Sequence, residues 1–318
     1  MLYPLDLKPA FKDYIWGGTR LPDEFGFDTP LRPVAEAWVL SVHPDGKSTV
    51  ANGALADKTL DEALPAFGEA ALGTAAAKFA RFPVLIKLID AREALSVQVH
   101  PSDEYALRTE GEYGKTEMWY VAGSAPGAYL YYGFSREIGR EEFKARIENN
   151  TLLEVLNKVP VKKGDCFFIE AGTLHAIGAG LLIAEVQQNS NSTYRVYDYG
   201  RLGADGRPRP LHIDKALDVT KLTPPNAPDF SGIPGRYGPP LAACAYFSCA
   251  YIDTAQTKRL AADESSFLCL LVLEGAGEMR CAGERLALKK GSCVFIPAGL
   301  GNIDFSGGAR MLATYLEP

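Results

Sequence analysis

Histidine and thiolate motifs are both scarce in this chain. Only four His occur in 318 residues, and the six Cys form no CxxC pair. A structural zinc site built on paired thiolates is therefore excluded as a first reading. Several of the cysteines sit in apolar runs, such as Cys166-Phe167-Phe168 and Phe267-Leu268-Cys269-Leu270, and read as small buried hydrophobes. No run of 18 apolar residues is present, so no membrane-spanning helix is expected. No basic stripe stands out, and the formal charge is −6 with a pI near 5.4. Nucleic acid is thus a poor partner, while a small anionic substrate held by local cations is not excluded. The first residues, Met1-Leu2-Tyr3-Pro4-Leu5-Asp6, lack a charged segment followed by an apolar one, and a cytoplasmic location is expected.

What the chain does have is apolar material. It is 47% hydrophobic, with 15 Phe and 15 Tyr, enough for one large or two medium packed domains. Short β-prone runs dominate, among them 37–42, 84–89, 96–100, 118–121, 128–132 and 181–186. Gly, Pro, Asn and Asp punctuate them at short intervals, as a sandwich or barrel requires. Helical patterns are few: an Ala-rich stretch over 59–80, a segment at 102–110 opening on Ser102-Asp103-Glu104, and a spaced apolar pattern over 135–158.

The chain also repeats itself. Lys162-Lys163-Gly164-Asp165-Cys166-Phe167-Phe168-Ile169-Glu170-Ala171-Gly172 recurs as Lys289-Lys290-Gly291-Ser292-Cys293-Val294-Phe295-Ile296-Pro297-Ala298-Gly299, an offset of 127 (289 − 162). Upstream, 119–123 aligns with 271–275 at an offset of 152, so the first copy carries a helical insert of about 25 residues that the second lacks. These offsets set Asn302 opposite His175 and Cys269 opposite Glu117. A Pro- and Gly-rich stretch from Thr223 to Pro240 reads as the linker.

Gln98 and His100 stand two apart in Leu95-Ser96-Val97-Gln98-Val99-His100-Pro101, so a strand points both to one face. Glu117 and His175 complete a set of imidazole nitrogens with amide and carboxylate oxygens, which suits a divalent first-row metal at a catalytic site. His43 and His212 belong to no motif and are expected to be structural or exposed.

The repeated strand-turn pattern resembles cupins. The expected fold is mainly β: two cupin-type jelly-roll barrels (double-stranded β-helix) with short helical insertions. Residues 1–222 would form a catalytic cupin domain, 223–240 a linker and 241–318 a metal-free cupin domain. More specifically, the chain resembles the type I mannose-6-phosphate isomerases, in their compact bacterial branch. The resemblance rests on Trp16-Gly17-Gly18, the Gln98-Val99-His100-Pro101 motif, Lys115-Thr116-Glu117-Met118-Trp119, Gly172-Thr173-Leu174-His175, and Glu185 followed by Asn189-Ser190-Asn191-Ser192-Thr193-Tyr194-Arg195.

That resemblance implies one zinc ion per chain on Gln98, His100, Glu117 and His175, with Arg195 as an active-site cation. It implies interconversion of mannose 6-phosphate and fructose 6-phosphate through a cis-enediol. Lys115 and Glu185 are the candidates for the base, and Ser96, Lys115 and Arg195 for substrate binding. The bland alternative for Arg195 is a structural pair with Asp198. A cupin glucose-6-phosphate isomerase, a metal-dependent dioxygenase and a non-catalytic sugar-phosphate-binding cupin are the competing readings. A monomer or homodimer acting on a small sugar phosphate is expected.

Overall fold

A computed structural model of the chain describes residues 2–203, 206–226 and 228–318. Among the described residues, four antiparallel sheets make two jelly-roll barrels, each a large sheet facing a smaller one. The first barrel joins a six-stranded sheet (Cys166–Ile169, Glu117–Ser124, Leu181–Gln188, Val84–Ala91, Glu36–Leu40, Ala10–Lys12) to a five-stranded one (Tyr194–Tyr197, Val97–Val99, His175–Ile177, Tyr129–Phe134, Leu156–Pro160). The second joins a seven-stranded sheet to a four-stranded one (Arg259–Ala262, Gly301–Gly307, Ala276–Cys281, Glu284–Lys289). The seven-stranded sheet is not built from the C-terminal part alone. Leu5–Lys8 pairs with Cys293–Ile296 and carries Thr49–Val50 at its edge.

The two large sheets pack against each other, which gives each of them a core on both faces. Along Val84–Ala91, Val84, Ile86 and Leu88 enter the core between the barrels, while Ile89 and Ala91 enter the first barrel. The same alternation divides Leu181–Gln188 and Glu117–Ser124. Strands buried on both faces read as near-continuous apolar runs, which is why 84–89 and 181–186 are apolar except for Lys87 and Glu185. Phe82, Phe267 and Phe295 hold the middle of the inter-barrel core, with ring centroids 5.3 Å apart for both Phe82–Phe267 and Phe267–Phe295.

The helical expectations are met in part. Ser102 precedes a helix over Asp103–Thr109. The 135–158 stretch gives a helix only over Arg140–Glu148, then a 3₁₀ turn over Leu152–Val155, and its end is already the strand Leu156–Pro160. This insert covers the outer face of the five-stranded sheet, with Phe143, Ile147 and Leu152 packed on Val97, Tyr131 and Phe134. The 59–80 stretch is not a helix. It breaks into a four-residue turn, Leu60–Ala63, and three 3₁₀ pieces. Gly68 and Gly73 separate the pieces at φ 78° and 85°, a conformation that ends any right-handed helix. No helix or strand lies among the described residues from 220 to 239, which takes in the 223–240 stretch read as a linker except Pro240, the first residue of the strand Pro240–Ala243. Among the described residues, no helix is long and apolar enough to cross a membrane.

The register corrects the repeat alignment. In the first barrel Ile169 pairs with Glu117, and in the second Ile296 pairs with Leu268, so Glu117 matches Leu268 and not Cys269. The bulges agree: pairing skips Ala122 in one copy and Leu273 in the other, an offset of 151 (273 − 122). Cys269 faces the inter-barrel core, whereas Leu268 faces the interior of the second barrel. Asn302 fails in the same way. It is exposed, and it is its neighbour Ile303 that faces the interior of the second barrel. A slip of one residue exchanges the two faces of a strand, so sequence similarity that is right to within one position is still wrong about facing.

Candidate metal centre and sugar-phosphate pocket

The inward positions of the first barrel carry charge where an ordinary core carries none. Glu36, Lys87, Glu117 and Glu185 all project from the six-stranded sheet and are buried. In the facing sheet, Gln98 lies between His175 and Arg195 in a row across three adjacent strands. His100 follows at the end of its strand, and Lys115 stands just before Glu117.

Three of the four expected metal-binding residues converge tightly. His100, Glu117 and His175 offer ligand atoms all within 4.8 Å of one another. His100 Nε2 lies 3.5 Å from Glu117 Oε2, and His175 Nε2 lies 3.5 Å from Glu117 Oε1. The Gln98 amide is 3.5 Å from His175 Nε2 on its nitrogen side, so a ligand role requires the amide to turn its oxygen inward. Lys115 Nζ donates to His100 Nε2 at 3.1 Å and contacts Glu117 Oε2.

A chain of alternating charges extends from this cluster. Lys115 lies 3.8 Å from Glu185 Oε1, Lys87 lies 3.4 Å from the same oxygen, and Lys87 lies 3.6 Å from Glu36. Trp119 Nε1–H donates to Glu185 Oε2 at 2.8 Å, and Trp38 Nε1–H donates to Glu36 at 2.6 Å. Burial pushes the Glu185 carboxyl up, but Lys115, Lys87 and the Trp119 N–H outweigh it and hold it below the usual carboxylate range. Burial likewise pushes Lys87 down, and Glu36 and Glu185 reverse that and raise it. Both groups are charged at neutral pH.

Glu36, Lys87, Lys115, Glu185, Gln98 and Ser96 open into a pocket of about 270 Å³, with Arg195 and Arg209 among its lining residues. Trp16 also lines it. The glycine after Trp16 is required by contact, since a Cβ on Gly17 would sit 2.6 Å from the Ala35 backbone. A larger cavity of about 610 Å³, lined by Tyr132, Phe168, Lys221 and Phe230 among others, contains none of the candidate metal or catalytic residues. Chemistry, not volume, picks out the smaller one.

Arg195 does not pair with Asp198. Its Nε–H donates to Ser96 Oγ at 3.2 Å and its Nη1–H to the Pro210 carbonyl at 3.1 Å. Asp198 is taken by Arg201 and by a two-point contact from Arg209, at 2.7 and 2.6 Å. The two histidines outside the motifs both have work in the structure. His212 Nδ1 accepts the Arg195 backbone N–H at 3.1 Å, and buried His43 bonds Glu112 at 3.1 Å.

Comparison with known proteins bears on this arrangement. A family model described as phosphomannose isomerase type I, catalytic domain, matches residues 5–119, and one described as mannose-6-phosphate isomerase, cupin domain, matches 241–316. A mannose-6-phosphate isomerase from Streptococcus mutans is 38% identical over 317 residues, covering 99% of each chain. A mannose-6-phosphate isomerase from Bacillus subtilis is 38% identical over 323 residues, covering 98% of this chain and 99% of its own. The chain belongs to the type I phosphomannose isomerases. A crystal structure of the Bacillus subtilis enzyme superposes with a TM-score of 0.88 at 36% identity, covering 98% of this chain and 99% of that one. A zinc-bound mannose 6-phosphate isomerase structure shares the fold, with a TM-score of 0.77 at 20% identity. The dioxygenase, glucose-6-phosphate and non-catalytic readings are not favoured by these matches.

The donor set passes a physical test for a metal cofactor. Each histidine bonds a backbone carbonyl through Nδ1, His100 to Ser192 at 2.9 Å and His175 to Thr173 at 2.8 Å. That fixes the proton on Nδ1 and aims the Nε2 lone pairs at the cluster. Burial, then the nearby Lys115 ammonium, hold His100 well below its ordinary pKa, and burial brings His175 down to about 4. Both rings are therefore neutral, as ligation demands. Glu117 Oε1 is buried with no hydrogen-bond partner among the described residues, and burial pushes its carboxyl up to about 8. An acceptor so isolated is costly unless a cation meets it.

Glu36, Lys87 and Arg209 were not singled out by sequence motifs. For Glu36 and Lys87 the usable signal is a charged residue on a strand whose neighbours are all apolar, as in Val84-Leu85-Ile86-Lys87-Leu88-Ile89.

Proposed function

We infer that this chain interconverts mannose 6-phosphate and fructose 6-phosphate by aldose–ketose isomerisation through a cis-enediol, with one zinc ion per chain. The observation that carries the reading is a buried His100–Glu117–His175 cluster opening, past Lys115 and Glu185, into a pocket also lined by Arg195 and Arg209. Gln98, His100, Glu117 and His175 would hold the metal. When bound there, a divalent ion polarises a sugar oxygen and stabilises negative charge developing on it.

The chain's own groups then divide the remaining work. Glu185 is ionised, and its Oε1 has no hydrogen-bond partner among the described residues, so it is our candidate to take the proton from C2. The C2–H electron pair forms the C1=C2 bond, and the same carboxyl returns the proton to C1. The hydroxyl proton lost from O2 is gained by O1, and Lys115 is the candidate carrier. Arg195 and Arg209, with the Ser96 hydroxyl, suit the phosphate, because a guanidinium matches a phosphate in two-point geometry. Asp198 neutralises one of the three nearby guanidiniums, those of Arg195, Arg201 and Arg209, and leaves an excess of positive charge for a dianion.

We take residues 1–222 as the catalytic unit, with its first strand lent to the sheet of the metal-free unit 241–318, and 223–240 as the linker. A cytoplasmic monomer or homodimer is our reading of its state. A coupled assay with mannose 6-phosphate and glucose 6-phosphate side by side tests the function. Turnover of mannose 6-phosphate, abolished by a chelator and restored by Zn²⁺, is expected. Turnover of glucose 6-phosphate in its place would sink the reading.

A further inference from the structure

Glu112 lies outside the motifs and outside the pocket lining, on the loop between the helix Asp103–Thr109 and the strand Glu117–Ser124. It nevertheless gathers four donors from two distant segments. Oε1 meets His43 Nε2 at 3.1 Å. Oε2 meets the Asn191 backbone N–H at 3.2 Å, Ser192 Oγ at 3.1 Å and Ser190 Oγ at 3.3 Å. The Asp45 backbone N–H donates to His43 Nδ1 at 3.1 Å, so His43 carries its proton on Nε2 and donates it to Glu112.

The gathered segment, 190–193, serves the site twice. The Ser192 carbonyl receives the His100 Nδ1–H, and Asn191 and Thr193 line the sugar pocket. No strand ladder holds this segment, which lies between Leu181–Gln188 and Tyr194–Tyr197. Besides one backbone bond, from the Ser190 N–H to the Gln188 carbonyl at 2.8 Å, its position depends on side-chain contacts, chiefly those to Glu112, with Gln187 Nε2 on the Ser190 carbonyl at 2.7 Å and Asn191 Nδ2 on Asp45 at 2.8 Å. Hydrogen bonds to an ionised acceptor are the strong ones, and the Glu112 side chain is only 30% exposed.

We propose that Glu112 is a positioning residue for both halves of the site. It fixes the carbonyl that orients His100, and with it the pocket edge formed by Asn191 and Thr193. His43 acts behind it as the donor that holds Glu112 itself. The proposal rests on the reading of His100, Glu117 and His175 as metal-binding residues.

The test is Glu112→Gln, which keeps the shape and removes the charged acceptor. Zn²⁺ affinity is measured on the metal-stripped full chain by competition with a chromogenic chelator, and KM and kcat are measured on the reloaded protein. Zn²⁺ should bind roughly 10-fold more weakly, the scale seen when support behind a metal ligand is lost. The KM for mannose 6-phosphate should rise as well. Glu142→Gln, which breaks a surface ion cluster with Arg136 and Arg146, controls for a general loss of ion pairing and should change neither. A Glu112→Gln protein that is less thermostable but binds Zn²⁺ like wild type overturns the proposal. If that variant does not fold, the double variant Ser190→Ala/Ser192→Ala strips two of the four donors and carries the same expectation, and wild-type Zn²⁺ affinity there is equally fatal. Failure of wild type itself to bind Zn²⁺ defeats instead the metal reading beneath it.

Discussion

The two barrels share one strand frame and differ in what they point inward. Glu117 corresponds to Leu268, Glu185 to Ala313 and Lys87 to Ala250, each pair fixed by strand register. All three counterparts lie in the apolar core of the second barrel. Met279, Phe305 and Leu288 fill the remaining space there. The first barrel keeps its charges only because each one meets an opposite charge or an N–H donor. The difference teaches that the jelly roll supplies positions, and that a site arises where charges occupy them as a connected set. A single charge at such a position is a defect, since an unpaired buried ion is strongly destabilising.

The comparison breaks most sharply at the metal cluster. His100→Ala should lower turnover by roughly 10³-fold or more. Metal analysis should show it about one equivalent per chain below wild type. Equal metal content in the two proteins would remove the central assignment. The converse experiment puts a charge into the second barrel. Leu268→Glu sets a carboxylate where Glu117 stands in the first barrel, but with no partners, and should cost about 3–5 kcal/mol in denaturant unfolding. Metal binding by the first barrel should persist in whatever fraction folds. An unchanged unfolding midpoint would mean that Leu268 does not face inward as its register requires.

Arg195→Ala should lower kcat by roughly 10²-fold if the guanidinium stabilises the enediolate. If it mainly holds the phosphate, KM rises instead, and Arg195→Lys rescues only partly because the planar fork is lost. Loss of thermal stability with normal turnover would support a purely structural role, one the engagement of Asp198 by Arg201 and Arg209 already argues against.

The smallest effect concerns Asp198. Burial pushes its carboxyl up, but the bonds from Arg209 and Arg201 outweigh that and hold it below 3.8. A depressed folded-state pKa means its contribution is full above the unfolded value and fades as pH falls through the folded one. Asp198→Asn should therefore be less stable than wild type by on the order of 1 kcal/mol at neutral pH. The gap should narrow as pH drops below 3.8. A gap that stays constant with pH would show that the carboxylate charge is not what holds the two arginines.

Much of the candidate site was legible because its expected metal-binding residues sit in short local patterns. Gln98 and His100 are two residues apart, Lys115 and Glu117 likewise, and His175 ends a turn after Gly172. Local spacing and strand periodicity suffice for such pairs. The connections among them were not legible. Lys87 meets Glu185 only because two antiparallel strands align those residues opposite each other. Glu112 reaches Ser192 across a loop with no motif at all. The 59–80 stretch misled for a related reason: Ala-rich composition favours helix, but Gly68 and Gly73 interrupt it too often for more than single turns.

The sequence by itself determined a mainly β chain, a repeated strand-turn unit, the candidate metal-binding motifs and the family they mark. These follow from residue type and from spacings of a few positions, which fix local geometry without reference to the rest of the chain. The tertiary structure alone decided which copy faces which residue inward, that Leu5–Lys8 joins the far sheet, and which arginines Asp198 takes. Those outcomes depend on register between strands distant in sequence. A shift of one residue there exchanges buried for exposed, and no local pattern carries that information.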